Sequence, residues 1–288
     1  MHTTVTAVVT THGRPRHVRE ALASLREESF KGRLECIVVE DGKASDAGGF
    51  EAYPDVPGAR VLRGLELGVG RARNMALEAA EGDFVIFLDD DDVALPTRIS
   101  TLVATAQQFE ADLCFGMTRR VAPNSSLTLP AVPTHVLRFG PMGFCDLLTC
   151  APHINAVLAR TAALRNVGGF DVEADHFDDW SAWLRIADRG MRIACVSEVV
   201  AEWRIHASGL SGLVIKAGAM KARLLALFDR LMSELSGENA RALAIARRTV
   251  STRDIVTYDD YAQAMNVVRD QLHAAGACLG RRQASHCE

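Results

Sequence analysis

The run FVIFLDDDD, residues 84–92, constrains the fold more than any other feature, because five apolar residues lead directly into four carboxylates. An apolar run of this length is typical of a buried strand in an α/β sheet. Ligands of such open sheets bind at the carboxyl ends of the strands. Four adjacent carboxylates repel one another, so we expect a divalent cation beside them, and oxygen ligands favour Mg²⁺ or Mn²⁺ over zinc. The run therefore predicts a metal site that holds a phosphate-bearing substrate, although a solvated acidic turn is the simpler alternative.

The bulk properties exclude several classes of protein. The chain of 288 residues is long enough for one large α/β domain, with or without an appendage. Its net charge of −4 argues against a nucleic-acid partner. Neither a membrane span nor the layout of a signal peptide is evident. The seven cysteines form no CxxC pair, which favours mostly free thiols in a reducing compartment. We therefore expect a cytoplasmic protein without a transmembrane segment.

The order of the elements predicts an α/β fold. Strand-like and helix-like patterns alternate from the N-terminus to the acidic run, which is typical of βαβ units with a mostly parallel sheet. The predicted strands of this part cover residues 4–10, 34–42, 59–64 and 84–89. After residue 213 the pattern changes to segments rich in Ala, Leu and Arg with helical spacing. We expect these C-terminal helices to cover the rest of the fold or to serve as an oligomerisation element. In the second case the chain would form a homo-oligomer.

Two strands that end in acid, at Asp41 and at Asp89, should bring their carboxylates to one edge of the sheet. That edge suits a nucleotide, with one carboxylate for the base or ribose and the others for metal and diphosphate. Gly68 and Gly70 precede a predicted helix, where glycine lets the backbone approach a ligand closely. Arg73, on the same helix, is placed to reach phosphates or the acid cluster. The simpler alternatives are a turn at Asp41 and a glycine turn with surface arginines.

A second acidic pair starts a predicted helix at Asp178 and Asp179. Carboxylates are favoured at a helix N-terminus, so we expect one of them to act in capping. The other is a candidate general base, which would take the proton of a sugar hydroxyl. Trp180, on the same helix, is a candidate for stacking on a sugar face, with core packing as the alternative. His206 follows a strand and is a candidate for contact with metal or diphosphate.

The order of these motifs resembles the family 2 glycosyltransferases of GT-A fold over roughly residues 4–212. TAVVTTHGRP resembles the opening strand and loop of that family, and CIVVEDGKASD resembles its Val-Val-Asp-Asp-Gly-Ser-x-Asp segment. ELGVGRARN resembles Asn-x-Gly-x-x-x-Ala-Arg-Asn, and FVIFLDDDD resembles the strand with the Asp-x-Asp metal motif. GGFDVEADHFDDW and RIHASGLS resemble two later segments of the family. The resemblance implies a Rossmann-like nucleotide-binding sheet, an acceptor subregion and C-terminal helices.

The resemblance also implies roles for individual residues. Asp179 would be the catalytic base, while Asp91 and His206 would contact Mn²⁺ or Mg²⁺. Asp178 and Trp180 would lie on the acceptor side. The residues expected to bind the nucleotide-sugar are Thr10, His12, Arg14, Glu40, Asp41, Gly68, Arg73, Asp89 and Asp90.

The implied reaction is an inverting displacement that moves a sugar from a nucleoside-diphosphate sugar, with UDP as the first donor expected. The expected acceptor is soluble: a small molecule, a glycan or a peptide. The expected organisation is a catalytic domain over 1–212, with a nucleotide-sugar half over 1–115 and an acceptor half over 116–212, followed by a helical extension over 213–288. The Ala- and Arg-rich composition favours a bacterial source.

Two alternatives stay open at this point. FVIFLDDDDV also fits a haloacid-dehalogenase-like phosphohydrolase, in which Asp89 would be the nucleophile and Asp91 the general acid/base. That motif normally lies on the first strand of its domain, whereas here two strand–helix units precede it. The second alternative is a catalytically silent module that binds nucleotide-sugars.

Overall fold

The computed structural model describes residues 3–42, 59–121, 128–132, 139–174, 176–204, 218–235 and 237–277, with the backbone alone at 128–132. The first part alternates strands and helices as the sequence predicts. Its elements are β1 (Thr4–Thr11), α1 (Pro15–Arg26), β2 (Arg33–Glu40), β3 (Ala59–Arg63), α2 (Val69–Ala79) and β4 (Phe84–Asp89).

The middle of the chain adds six strands and four helices among the described residues. They are β5 (Val93–Ala94), α3 (Arg98–Gln108), β6 (Leu113–Val121), β7 (Thr128–Val132), β8 (Gly140–Met142), α4 (Phe144–Cys150), β9 (Val157–Arg160), α5 (Thr161–Asn166), α6 (Asp178–Asp188) and β10 (Ile193–Arg204). A short 3₁₀ turn, Ile154–Ala156, leads into β9. Three helices close the described part of the chain: α7 (Met220–Glu234), α8 (Gly237–Ser251) and α9 (Tyr258–Ala274).

The described strands form one sheet in the order β3-β2-β1-β4-β9-β6-β10-β5, with β7 on β6 and β8 on β10. Strands β3, β2, β1 and β4 are parallel, as are β6 and β10. Strand β9 runs antiparallel between β4 and β6. The predicted mostly parallel α/β sheet is confirmed, and the antiparallel β9 brings the start of its own strand to the carboxyl edge of its neighbours.

Both faces of this sheet are covered, which explains the continuous apolar run in β4. Successive side chains of a strand point to opposite faces, so Val85 and Phe87 join one core while Ile86 and Leu88 join the other. Helices α1 and α3 cover the second face. Helices α2, α4 and α6 cover the first face, and the acid run therefore emerges from a strand held on both sides.

The C-terminal helices pack into the same core as α6. The ring of Trp180 lies 5.6 Å from that of Phe228 on α7 and 5.9 Å from that of Tyr261 on α9. Asn239 on α8 donates a hydrogen bond of 2.8 Å to Asp188 at the end of α6. The described C-terminal helices thus pack against helix α6 and support it from the interior.

Two further expectations from composition can be compared with the structure. Among the described residues, no helix is both long and apolar enough to cross a membrane. Four cysteines are free thiols, as expected: Cys36, Cys114, Cys150 and Cys195. Cys145 differs from them, because it is disulfide-bonded.

Candidate functional site

The acid run lies at the carboxyl edge of the sheet, with Thr10 of β1 in register with Asp89. After Asp89 the chain turns, and the Asp92 amide donates to the Asp89 carbonyl at 3.1 Å. This turn separates the four carboxylates. Asp90 and Asp92 are buried, with 1% and 2% of their surface exposed, while the side chains of Asp89 and Asp91 are 28% and 15% exposed. Asp89 and Asp91 are therefore the more exposed members of the run.

Asp90 is held from two sides by residues that follow β1. Thr11 donates its hydroxyl to one carboxylate oxygen at 2.5 Å, and Arg14 forms an ion pair with the other at 2.5 Å. Arg14 also donates to Asp91 at 2.8 Å. Burial raises the pKa of Asp90 to about 7 despite these partners. Asp90 fastens the acid turn to the loop after β1, and its contact with the donor stays a prediction. Thr11 is a member of the site that the sequence interpretation missed.

Asp92 is tied to the start of β9 by Asn155, which is fully buried. The Asn155 amide nitrogen donates to Asp92 at 2.5 Å, and its oxygen accepts the backbone N–H of Asp89 at 2.9 Å. The Arg204 amide donates to the other oxygen of Asp92 at 2.6 Å. Asn155 was not predicted, because nothing local in the sequence shows that this segment enters the carboxyl edge.

A group that could hold a metal ion lies beside these contacts. Among the described residues, the ligand atoms of Asp89, Asp92 and His153 lie within 4.8 Å of one another. Burial lowers the pKa of His153 to about 4, so its ring is neutral and keeps a lone pair, and the ring lies 4.8 Å from that of Trp203. The predicted pair was Asp91 and His206. His206 lies outside the described residues, and Asp91 stays a candidate beside this group.

Two arginines bring positive charge to the acid run from the interior. Arg73 on α2 donates to Asp89 and to Asp178, each at 2.8 Å, and is 5% exposed. Burial alone would lower the pKa of Arg73, but the charges of Asp178 and Asp89 raise it above its ordinary value. Arg98, fully buried at the start of α3, donates to the Phe87 carbonyl at 2.5 Å. The predicted contact of Arg73 with the acid cluster is present, and Arg98 is a further member that the sequence interpretation missed.

The charges of this cluster do not balance when all of its carboxylates are ionised. Its six carboxylates face three guanidinium groups, so negative charge is left over at the edge of the sheet. A divalent cation is the ordinary partner for such an excess. The carboxylates are Asp89, Asp90, Asp91, Asp92, Asp178 and Asp179, and the guanidinium groups are Arg14, Arg73 and Arg98.

Asp41, at the end of β2, accepts two hydrogen bonds from the loop before α2. The amides of Leu67 and Gly68 donate to its two oxygens at 2.7 and 2.8 Å. Gly64 lies so close that an added Cβ would be 2.2 Å from the carboxylate. The ring nitrogen Nδ1 of His12 donates to the Asp41 carbonyl at 2.9 Å. Asp41 therefore shapes the loop around the predicted nucleotide site, and His12 lies beside it.

Glu40 and Gly68 complete this part of the edge. One oxygen of Glu40 accepts the amides of Gly13 and Gly42 at 2.9 and 3.2 Å, which joins the loops after β1 and β2. Gly68 has φ of 87° at the N-cap of α2, a conformation that favours glycine, and open space surrounds its Cα. The predicted donor residues are thus brought to one edge, where Glu40 has a structural contact and Gly68 leaves room for a ligand.

The acidic pair at the start of α6 separates into two roles. Asp178 is 2% exposed and ion-paired with Arg73, and its predicted place on the acceptor side stays a prediction. Asp179 is half-buried beside it. Burial, followed by the charge of Asp178, raises the pKa of Asp179 to about 7. A carboxylate with a pKa near neutrality is suited to accept a proton in catalysis.

Trp180 lies in the interior behind the start of α6. It is 2% exposed, and its ring nitrogen donates to the Leu147 carbonyl at 2.9 Å. Its ring packs against Phe177, Phe228 and Tyr261. The structure thus places the indole in the core that supports α6, which is the core-packing alternative, and the acceptor role of Trp180 stays a prediction.

Comparison with known proteins agrees with this geometry. The sequence model of glycosyl transferase family 2 matches residues 6–149. The uncharacterized glycosyltransferase YibD of Escherichia coli is 31% identical over 129 residues, which are 42% of this chain and 35% of YibD. The poly(ribitol-phosphate) β-N-acetylglucosaminyltransferase TarS of Staphylococcus aureus is 30% identical over 127 residues, 41% of this chain and 22% of TarS. The sequence matches thus span about a third or less of these relatives.

Solved structures show the same fold over nearly the whole chain. S. aureus TarS 1-349 in complex with UDP-GlcNAc superposes with a TM-score of 0.60 at 16% identity, covering 94% of this chain and 92% of that one. The mannosyltransferase PcManGT of Pyrobaculum calidifontis, in complex with GDP-Man and Mn²⁺, superposes with a TM-score of 0.61 at 20% identity, covering 96% and 76%. These neighbours confirm the predicted GT-A fold. Since the family model matches half of the chain, the chain belongs to glycosyl transferase family 2.

Proposed function

We propose that the chain is an inverting glycosyltransferase that moves a sugar from a nucleoside-diphosphate sugar to an acceptor hydroxyl. Two solved structures support the donor class, because TarS is in complex with UDP-GlcNAc and PcManGT is in complex with GDP-Man and Mn²⁺. Relatives such as YibD, which are named glycosyltransferases, support the reaction class. A UDP-sugar is the first donor expected. A soluble acceptor and a cytoplasmic location remain predictions from the sequence.

The observation that carries the proposal is the position of Arg73 between the two acidic groups. One end of its guanidinium binds Asp89 of the acid run, and the other binds Asp178, the neighbour of Asp179. The edge suited to a donor diphosphate and the candidate base thus lie on either side of one side chain. An in-line displacement needs an acceptor activated on one side of the sugar and a leaving group on the other, and a sugar bound beside Arg73 would have the base and the acid edge close to it.

In the proposed reaction Asp179 accepts the proton of the acceptor hydroxyl. The acceptor oxygen forms its bond to the anomeric carbon while the bond from that carbon to the diphosphate breaks. The electron pair leaves with the nucleoside diphosphate, and the anomeric configuration inverts. General base catalysis of this kind contributes roughly 10²–10⁴ in rate.

The residues of the acid edge fit a divalent cation. Negative charge is left over there, and oxygen ligands from carboxylates are those that Mg²⁺ and Mn²⁺ prefer. Asp91 is the predicted ligand, and Asp89, Asp92 and His153 form the adjacent group that could share in binding. When bound, the ion would neutralise charge on the departing diphosphate.

Calorimetry tests the donor half of the proposal. The chain is titrated with UDP, GDP and dTDP, with and without Mn²⁺, and the same titrations are run on Asp91→Ala. Asp83→Ala is the matched control, because Asp83 lies at the opposite end of β4 and accepts the Thr4 amide. We expect one nucleotide to bind in a manner that needs both Mn²⁺ and Asp91. Failure of all three nucleotides to bind would refute the proposal.

Release of nucleoside diphosphate tests the catalytic half. UDP-GlcNAc, UDP-glucose and GDP-mannose are supplied with Mn²⁺, and the acceptor can be water in the first assay. Asp179→Asn is expected to lose roughly 10²–10⁴ in kcat while nucleotide binding is unchanged. If nucleotide binds but no nucleoside diphosphate is released from any of the three donors, the silent nucleotide-sugar module is favoured. The phosphohydrolase alternative is disfavoured by the family match and by the position of the acid run on the fourth strand.

A further inference from the structure

Helix α7 lies outside the matched part of the family, yet it contacts the segment that leads into the candidate base. Arg230 on α7 donates from Nε to Asp171 at 2.8 Å and from Nη1 to the Glu173 carbonyl at 3.3 Å. Both acceptors lie in the short connection between the Gly168-Gly169 turn and α6. One arginine therefore holds two points of this connection.

Asp171 connects Arg230 to helix α6. The oxygen that accepts from Arg230 also accepts the hydroxyl of Ser181 at 3.3 Å, and the other oxygen accepts the Glu173 amide at 3.0 Å. Ser181 lies on the first turns of α6, two residues after Asp179. The side chain of Asp171 is 11% exposed and that of Arg230 is 28% exposed, so water weakens this ion pair little.

The other side of the connection is fixed by α2. Gly70 lies so near that an added Cβ would be 3.2 Å from the Asp171 carbonyl and 3.6 Å from the Cβ of Asp178. Close packing on that side leaves the connection little room to move toward α2. A loss of the contact with α7 would instead let it move outward, together with the first turn of α6.

We propose that Arg230 is a positioning residue for Asp179, acting through Asp171 and Ser181. This role rests on the proposed function, in which Asp179 is the base. Phe228, two residues before Arg230, packs against Trp180 and supports the same turn of α6 from the core. Helix α7 thus sets the place of the base in this chain.

The test compares Arg230→Ala, Arg230→Lys and the control Arg247→Ala. Arg247 forms an exposed ion pair with Asp229, the residue next to Arg230, so the control removes the same charge from the same region without touching the connection. Release of UDP or GDP from UDP-GlcNAc, UDP-glucose and GDP-mannose is measured, together with the calorimetric stoichiometry of nucleotide binding. Asp179→Asn is run in parallel.

We expect Arg230→Ala to lower kcat by roughly tenfold, because small misplacements of a catalytic group are costly. The donor KM and the binding stoichiometry should stay unchanged, which separates misplacement of the base from a loss of folded protein. Arg230→Lys should recover part of the rate through its charge on Asp171. Arg247→Ala should behave as the unchanged chain.

Hydrogen exchange gives a readout that does not depend on turnover. In Arg230→Ala the amides of the connection and of the first turn of α6 should exchange faster, whereas those of β1 and β4 should not change. Unchanged exchange at α6 would overturn the positioning role. Full turnover in Arg230→Ala with loss of turnover in Asp179→Asn would overturn it while leaving the proposed function intact. Full turnover in Asp179→Asn would refute the base itself, and the role of Arg230 with it.

Discussion

The substitution Arg73→Met tests the electrostatic arrangement at the centre of the site. Arg73 donates to Asp89 and Asp178 at 2.8 Å each, and its side chain is 6% exposed. Methionine keeps much of the volume of the side chain but removes the charge and the donors. Two carboxylates then lose the cation between them.

The expected loss of stability follows from the burial of the two carboxylates. Removal of one partner from a buried ion pair costs about 3–5 kcal/mol, because an uncompensated charge is left behind. The side chain of Asp178 is 3% exposed and bears this cost in full, whereas that of Asp89 is 28% exposed and is partly hydrated. We therefore expect the free energy of unfolding to fall by about 4 kcal/mol at pH 8.

The loss should depend on pH in a defined direction. Burial raises the pKa of Asp178 above its ordinary value, and Arg73 opposes this rise. Without Arg73 the pKa of Asp178 rises further, so the folded state binds a proton that the unfolded state does not. Stability then increases as the pH falls through the raised pKa toward the ordinary carboxyl value, and the deficit shrinks. It is largest above the raised pKa.

Urea unfolding followed by tryptophan fluorescence at pH 8 and pH 5 measures both effects. Asp178→Asn and the double variant Arg73→Met/Asp178→Asn complete a double-mutant cycle, in which we expect part of the lost stability to return. Arg60→Met is the control, because Arg60 is 47% exposed and pairs with Glu81 at 4.0 Å. A loss below about 1 kcal/mol, which is the range of a surface pair, would refute the reasoning, as would a loss that is equal at both pH values.

Three further predictions concern the base, the acid turn and the turn before α6. The kcat/KM of nucleotide release should rise as the pH increases through about 7, because Asp179 must lose its proton to act as the base. A flat pH–rate profile would count against Asp179 as the base. Asn155→Leu should lower the free energy of unfolding by about 2–3 kcal/mol, since one buried oxygen of Asp92 and the Asp89 amide both lose the Asn155 side chain as partner. It should also weaken Mn²⁺ binding in calorimetry, and unchanged values of both quantities would contradict the bridging role of Asn155. Gly169→Ala should destabilise the chain toward urea more than Gly190→Ala does. Both glycines have φ near 70°, but an added Cβ at Gly169 would lie 2.3 Å from Asn74, whereas one at Gly190 would meet open space. Equal losses of stability would show that backbone strain alone determines the cost.

Much of the first half of the fold could be predicted from the sequence. The alternation of apolar strands and helical segments predicts β1, β2 and β4 in a parallel sheet, because parallel neighbours need a crossover connection, which is usually a helix. The acid run then has to emerge at the carboxyl edge, and Asp41 has to emerge beside it. The encounter of Arg73 with the acid cluster was also predicted, since the helix that carries it starts at the same edge.

Tertiary packing buries several residues whose predicted roles require contact with a ligand. Asp90, Asp178 and Trp180 are of residue types suited to ligand contact, but each is enclosed by partners from distant parts of the chain. Composition and spacing do not tell which side of a turn or helix faces the interior. That choice depends on the neighbours that tertiary packing supplies.

The sequence by itself determined that this protein has an α/β sheet with an acidic edge, because hydrophobic periodicity and strand length are local properties of the chain. Only the tertiary structure decided that Asn155 and His153 belong to that edge. They precede β9, which runs antiparallel to its neighbours, so the start of this strand meets the ends of the others. The same holds for Arg98 beneath the acid run and for Arg230 behind α6. Each interacts with carboxylates that come near it only when the hydrophobic cores of the protein form.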